Sequence, residues 1–200
     1  MNKHLRCVLV GMPGSGKTTI GRQLARRMGG AFLDCDHAIE REIGCSIKRY
    51  FQDHGEAAFR DLEHQVLAEL LRRPAPYVLS TGGGAVVRPD NRALLMAGPP
   101  VVYLHAAPEE IHRRIAHDDS RPLMQVADPL AKLKELYRDR DPLYREVARY
   151  VMETGRPTVS SLKAAGVPKA GRNAWHLDPD TGRYKRLTAA VRAALAKSDS

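Results

Sequence analysis

Short apolar runs alternate with longer segments whose apolar residues recur at helical spacing. The runs are Cys7–Val10, Ala31–Leu33, Tyr77–Leu79 and Val101–Leu104, with a fifth around Tyr150–Met152. Between them the pattern predicts helices over Lys17–Met28, Ser46–Asp53, Glu56–Arg72, Pro89–Met96, Pro108–Ala116 and Pro129–Asp139. Each strand is followed by a helix-length segment. That alternation predicts an α/β fold of three layers, with a five-stranded parallel sheet between helices. Ligands in such folds sit at the carboxyl ends of the strands. Two segments break the alternation. Residues 36–63 read as two helices with no strand between them, enough for a substrate-binding helical subdomain. Residues 117–128, HDDSRPLMQVAD, are polar and contain proline, and read as a mobile lid.

Composition narrows the class. The 200 residues suit one domain. With 43% apolar and 28% charged residues, the chain resembles an ordinary soluble globular protein. It holds no apolar run of membrane-spanning length, so no membrane partner is expected. The apolar stretch near the N-terminus is too short for a signal peptide, which points to the cytoplasm. Cys7, Cys35 and Cys45 are odd in number and lack C-x-x-C spacing. Free thiols in a reducing compartment are expected, rather than a disulfide or a zinc site.

The net charge of +9 is unevenly spread. Residues 155–200 hold nine Lys/Arg against three Asp/Glu, a net +6, which leaves +3 for the first 154 residues. The bases of the main body are therefore judged singly, as anion ligands, rather than as a nucleic-acid footprint.

One motif is complete. Gly11-Met12-Pro13-Gly14-Ser15-Gly16-Lys17-Thr18 is G-x-x-x-x-G-K-[ST], placed between a strand and a helix as the motif requires. The glycines let backbone N–H groups converge on phosphate oxygens, and the helix N-terminus adds its dipole. Lys17 can bridge the terminal phosphates, and the Thr18 hydroxyl can ligate Mg²⁺. This predicts ATP binding but does not name the acceptor.

Four further segments suit an acceptor site, each with a plainer reading beside it. Asp34 and Asp36 follow the second strand; one can hold a metal-bound water and the other can accept a proton from an attacking hydroxyl. They read equally as a solvated acidic loop. Arg60 and Glu63 share a helix face, so Glu63 can hold the guanidinium while it binds a carboxylate. A surface ion pair fits as well. Gly82-Gly83-Gly84 ends the third strand, either as a close wall for a flat ligand or as a turn. Arg121 in the lid and Arg140 after a helix can each meet an anion, or can be solvated surface bases.

Taken together, GMPGSGKTTIG, DCD followed by HAIE, GEAAFRDLE, STGGGAV, SRPL and RDPLY resemble the shikimate kinases over about Leu5 to Arg156. The resemblance implies a nucleoside-monophosphate-kinase-like P-loop fold. It also implies ATP-dependent phosphorylation of the shikimate 3-hydroxyl, with Mg²⁺ as cofactor, by a monomer. By the same resemblance, Gly14, Ser15, Gly16, Lys17, Thr18 and Thr19 cradle the phosphates. Thr18 and Asp34 serve the metal. Asp36 orients or deprotonates the hydroxyl. Arg60 and Arg140 clamp the carboxylate, and Gly82 and Gly83 lie along the ring. Arg121 is the lid arginine, and Arg114 and Arg156 flank the adenine. Lys17, Asp36 and Arg121 would carry the chemistry.

The kinase-like domain is expected over 1–166, with Pro157–Ala165 as its last helix, and a basic extension over 167–200 with an alanine-rich helix at Leu187–Ala196. Two alternatives remain at this stage: a related small-metabolite kinase such as a gluconate kinase, and a nucleotide-dependent binding module using the basic tail.

Overall fold

A computed structural model describes residues 6–116 and 126–154, together with the backbone of strand Ala174–Trp175. Arg121, Arg156, most of the expected lid, the expected helix Pro157–Ala165 and the alanine-rich stretch lie outside the described residues.

The elements run β1 Arg6–Val10, α1 Lys17–Met28, β2 Ala31–Asp34, α2 Cys35–Ile43, α3 Ile47–Leu71, β3 Tyr77–Ser80, a 3₁₀ turn Ala85–Val87, α4 Pro89–Ala97, β4 Val101–His105, α5 Pro108–Ile115, α6 Pro129–Val147, β5 Tyr150–Glu153 and β6 Ala174–Trp175. All strand pairs are parallel, in the order β2-β3-β1-β4-β5-β6. The five expected strands are present. The two residues of β6 come from the extension and add a short sixth strand beside β5.

Alternation along β1 divides the core. Cys7 and Leu9 face α1 and join Ile20, Leu24 and Met28. Val8 and Val10 face the opposite way, toward Leu67, Tyr103, Ile111 and Tyr144. Each such large side chain is worth about 1.5–3 kcal/mol when fully buried, so the two faces fix the register of the central strand. The chain leaves β1 toward β3 and β2 on one side and β4 on the other. Its carboxyl end is therefore the switch point at which a crevice opens.

Two local expectations change, and a third holds. A helix starts directly after β2, because Asp34 caps it by accepting from the His37 N–H at 3.4 Å. Asp36 thus stands in the first turn of α2 rather than on a loop. The two helices expected within 46–72 are both present as the halves of α3, parted where Gly55 leaves the helical conformation (φ 79°, ψ 174°). Finally, α6 does not stop at Asp139. It continues through Pro142 to Val147, so Arg140-Asp141-Pro142-Leu143-Tyr144 lies inside the helix. A proline removes one intrahelical bond; here Tyr144 and Val147, both buried, hold the last turns against the sheet. Among the described residues, no helix is long and apolar enough to cross a membrane.

Candidate active site

The loop after β1 turns on Gly11, Gly14 and Gly16, all at positive φ (147°, 82° and 96°). Side chains would strain that path, so the glycines are what the turn requires. Lys17 Nζ donates to the carbonyls of Gly11 (2.8 Å) and Met12 (3.0 Å), which places the ammonium over the loop's concave side. The Ser15 N–H is spent on the Met12 carbonyl, and its hydroxyl is buried without a hydrogen-bond partner. Thr18 Oγ1 lies 3.4 Å from Asp34 Oδ2, setting two hard oxygen donors beside the lysine.

A cleft of about 390 Å³ opens above the loop. Its walls include Gly14, Gly16, Lys17, Thr18, Thr19, Asp34, Asp36, Gly83 and Arg114. Arg114 reaches it from α5, donating to the carbonyl and hydroxyl of Thr154 and, at 3.5 Å, to the Ser15 carbonyl. The Thr154 hydroxyl donates to the Ser15 carbonyl at 3.2 Å, and its backbone N–H donates to the His105 carbonyl at 2.8 Å. The end of β5 is therefore stapled to the phosphate loop. No sequence signal marked Thr154.

The glycine triplet after β3 is the other wall, and each glycine admits a different neighbour. A methyl on Gly82 would lie 2.7 Å from Asp36 Oδ1 and 3.0 Å from Glu63 Oε1. One on Gly83 would lie 2.8 Å from Pro13 Cδ of the phosphate loop, and one on Gly84 2.8 Å from a guanidinium nitrogen of Arg60. The space left by the missing side chains is thus taken at Gly82 and Gly84 by Asp36, Glu63 and Arg60, and at Gly83 by the phosphate loop. Arg140 Nη1 donates to the Gly83 carbonyl at 3.2 Å, and the Tyr144 hydroxyl donates to the same oxygen. Asp36, Arg60 and Arg140 therefore meet three consecutive residues, whose outer Cα atoms are at most about 7.6 Å apart. Tyr144 lay within the RDPLY motif, yet its link to the triplet was not legible in it.

The charges are arranged in depth. Arg60 pairs with Glu63 at 3.0 Å and with Glu56 at 2.9 Å. The i,i+4 spacing of Glu56 could have identified it in the sequence. The Glu63 side chain is only 2% exposed. Burial raises its pKa against the lowering effect of Arg60, and the charge of Asp36 raises it further. Asp36 is open to the cleft, yet protein crowds its carboxyl. That crowding raises its pKa, as do the neighbouring charges of Asp34 and Glu40, while Lys17 opposes them. Burial lifts Cys35, between the two aspartates, far above the ordinary thiol range, so it remains a neutral core residue. Among the described residues, no cluster of His, Cys, Asp and Glu forms a closed metal cage.

Comparison with known proteins points one way. The family model described as "Shikimate kinase" matches residues 13–165. A shikimate kinase of Paracidovorax citrulli is 57% identical over 149 residues, covering 74% of this chain and 81% of that protein. One from Burkholderia pseudomallei is 52% identical over 159 residues, covering 80% and 86%. Among solved structures, the shikimate kinase of Acinetobacter baumannii in complex with shikimate superposes with a TM-score of 0.77 at 38% identity, covering 98% of this chain and 96% of that one.

Proposed function

This chain belongs to the shikimate kinase family and transfers the γ-phosphoryl group of ATP to the 3-hydroxyl of shikimate, and we propose that the groups meeting at Gly82–Gly84 are its acceptor site. The observation that carries this reading is the convergence of Asp36, Arg60 and Arg140 on three successive glycines, the middle one against Pro13 of the phosphate loop. One carboxylate acceptor and two guanidinium groups around a bare backbone suit a flat ring bearing hydroxyls and a carboxylate. A gluconate kinase is not favoured, because the family model and the two curated relatives named above carry the name of the other acceptor.

Each group has a task in this reading. The phosphate loop, Lys17 and Arg114 hold ATP. Thr18 Oγ1 and Asp34 Oδ2, 3.4 Å apart, are the hard oxygen donors that would hold Mg²⁺. A metal held there would offset the charge on the phosphates of ATP. Arg60 and Arg140 fix the shikimate carboxylate, and Glu63 keeps Arg60 from swinging away. Asp36 receives a hydrogen bond from the attacking hydroxyl and aligns it with the γ-phosphorus. Helix α2 and the first half of α3 form the substrate-binding subdomain. The three free thiols suit the cytoplasm.

A coupled assay of ADP release tests the function. Release should depend on shikimate and stay at background with gluconate; equal release with gluconate would refute the acceptor assignment.

A further inference from the structure

One buried tyrosine holds the part of α6 that carries Arg140. Tyr103 lies in β4 with no exposed surface. Its hydroxyl donates to Asp141 Oδ1 at 2.8 Å, and its ring stacks on Tyr144 with centroids 5.0 Å apart and planes 29° from parallel. Asp141 directly follows Arg140, and Tyr144 lies one turn further on, at the Gly83 carbonyl. Both ties to β4 therefore lie within about one turn of Arg140, on its C-terminal side.

The neighbouring bonds sharpen the picture. Asp141 Oδ2 accepts from Arg145 Nε at 2.7 Å, so both of its oxygens are engaged. Pro142 removes a backbone bond from this same stretch, so the helix alone does not hold it rigid. Two residues along β4 from Tyr103, on the same strand face, His105 Nδ1 meets Glu153 at 2.7 Å and Nε2 meets the Tyr137 hydroxyl at 2.8 Å. Packing apolar side chains would have sufficed to attach α6 to the sheet. Directional bonds instead specify its rotation and its slide along its axis.

We propose that Tyr103 is a positioning residue for the acceptor's carboxylate: by fixing Asp141 and Tyr144 it sets the reach of Arg140 toward Gly83. The proposal rests on the reading of Arg140 as a carboxylate clamp. Tyr103 does not touch the acceptor. It acts through one turn of helix, on the 3.2 Å contact between Arg140 Nη1 and the Gly83 carbonyl.

The test compares Tyr103→Phe, Arg140→Ala and the double variant. Phenylalanine keeps the ring and the stacking and removes only the hydroxyl. Tyr103→Phe should raise the shikimate KM about three- to tenfold, with the ATP KM and the saturated kcat within about twofold of the parent and the fold intact by thermal melting. Arg140→Ala should raise the shikimate KM further, and in that background Tyr103→Phe should add nothing, since contacts in series are not additive. Asp141→Asn, which keeps an acceptor for the tyrosine hydroxyl, should lie closer to the parent than Asp141→Ala. An unchanged shikimate KM in Tyr103→Phe, beside a raised one in Arg140→Ala, overturns the role of Tyr103 and leaves the clamp standing. An unchanged KM in Arg140→Ala removes the clamp, and the proposal with it. Equal rises in both substrates' KM show general loosening and also overturn it.

Discussion

Asp36 and Glu63, one from α2 and one from α3, reach over the same Cα: both carboxylates lie within 3.0 Å of where a methyl group on Gly82 would stand. Gly82 has no positive φ, so alanine is allowed there by the backbone. What must give way is the far end of two flexible side chains. Gly82→Ala should therefore leave the melting temperature nearly unchanged while kcat/KM for shikimate falls about a hundredfold through misplacement of the acceptor groups. Circular-dichroism melts beside steady-state kinetics check this, and parent-like kinetics would remove the triplet from the site.

Asp36 binds its proton more tightly in the folded chain than in the unfolded one, since its pKa is raised from 3.8. Between those two values the native state holds more protons. Its contribution to stability is therefore present at low pH and is lost as pH rises through the raised value. Asp36→Asn escapes that loss. At neutral pH it should melt at or above the parent temperature, and below the ordinary carboxylate pKa the difference should vanish. Turnover at saturating shikimate should fall about a hundred- to ten-thousandfold. Full turnover would mean that another group aligns the hydroxyl.

Arg60→Ala leaves Glu63 as a buried carboxylate that has lost its nearest cation. The shikimate KM should rise about ten- to a hundredfold with ATP affinity kept. Stability should fall by about 3 kcal/mol at neutral pH. Losing Arg60 removes the main influence holding the Glu63 pKa down. Protonation then relieves the strain, so the deficit should shrink as pH is lowered. Chemical denaturation at two pH values measures it, and a deficit independent of pH would count against a charged Glu63.

Lys17 rests on the Gly11 and Met12 carbonyls, already above the loop where phosphates would lie. Lys17→Met should lower shikimate-dependent ADP release about a hundred- to a thousandfold without unfolding the chain. Release at the parent rate would remove the phosphate-loop assignment.

The layered sheet was legible because its strands are short apolar runs set off by helical spacing, and β1 with the phosphate loop could be placed to the residue. The break at Gly55 was legible too. Capping by Asp34 hid α2, since a capping aspartate and an acidic loop look alike in sequence. The length of α6 was hidden by Pro142, a residue that ends most helices and is here overruled by tertiary ties. At the site, Asp36, Arg60 and Arg140 stood out once the motifs were read as a set. Thr154, Tyr144 and Tyr103 did not, because each acts through a partner more than 35 residues away.

The proposed acceptor wall is main chain rather than side chain: Gly82, Gly83 and Gly84 are each hemmed in by a different neighbour. A larger residue at Gly82 or Gly84 would first displace Asp36, Glu63 or Arg60, and one at Gly83 would press on Pro13 of the phosphate loop. With the acceptor site as proposed, this wall resists enlargement, and a change of acceptor would have to begin with the side chains that face it.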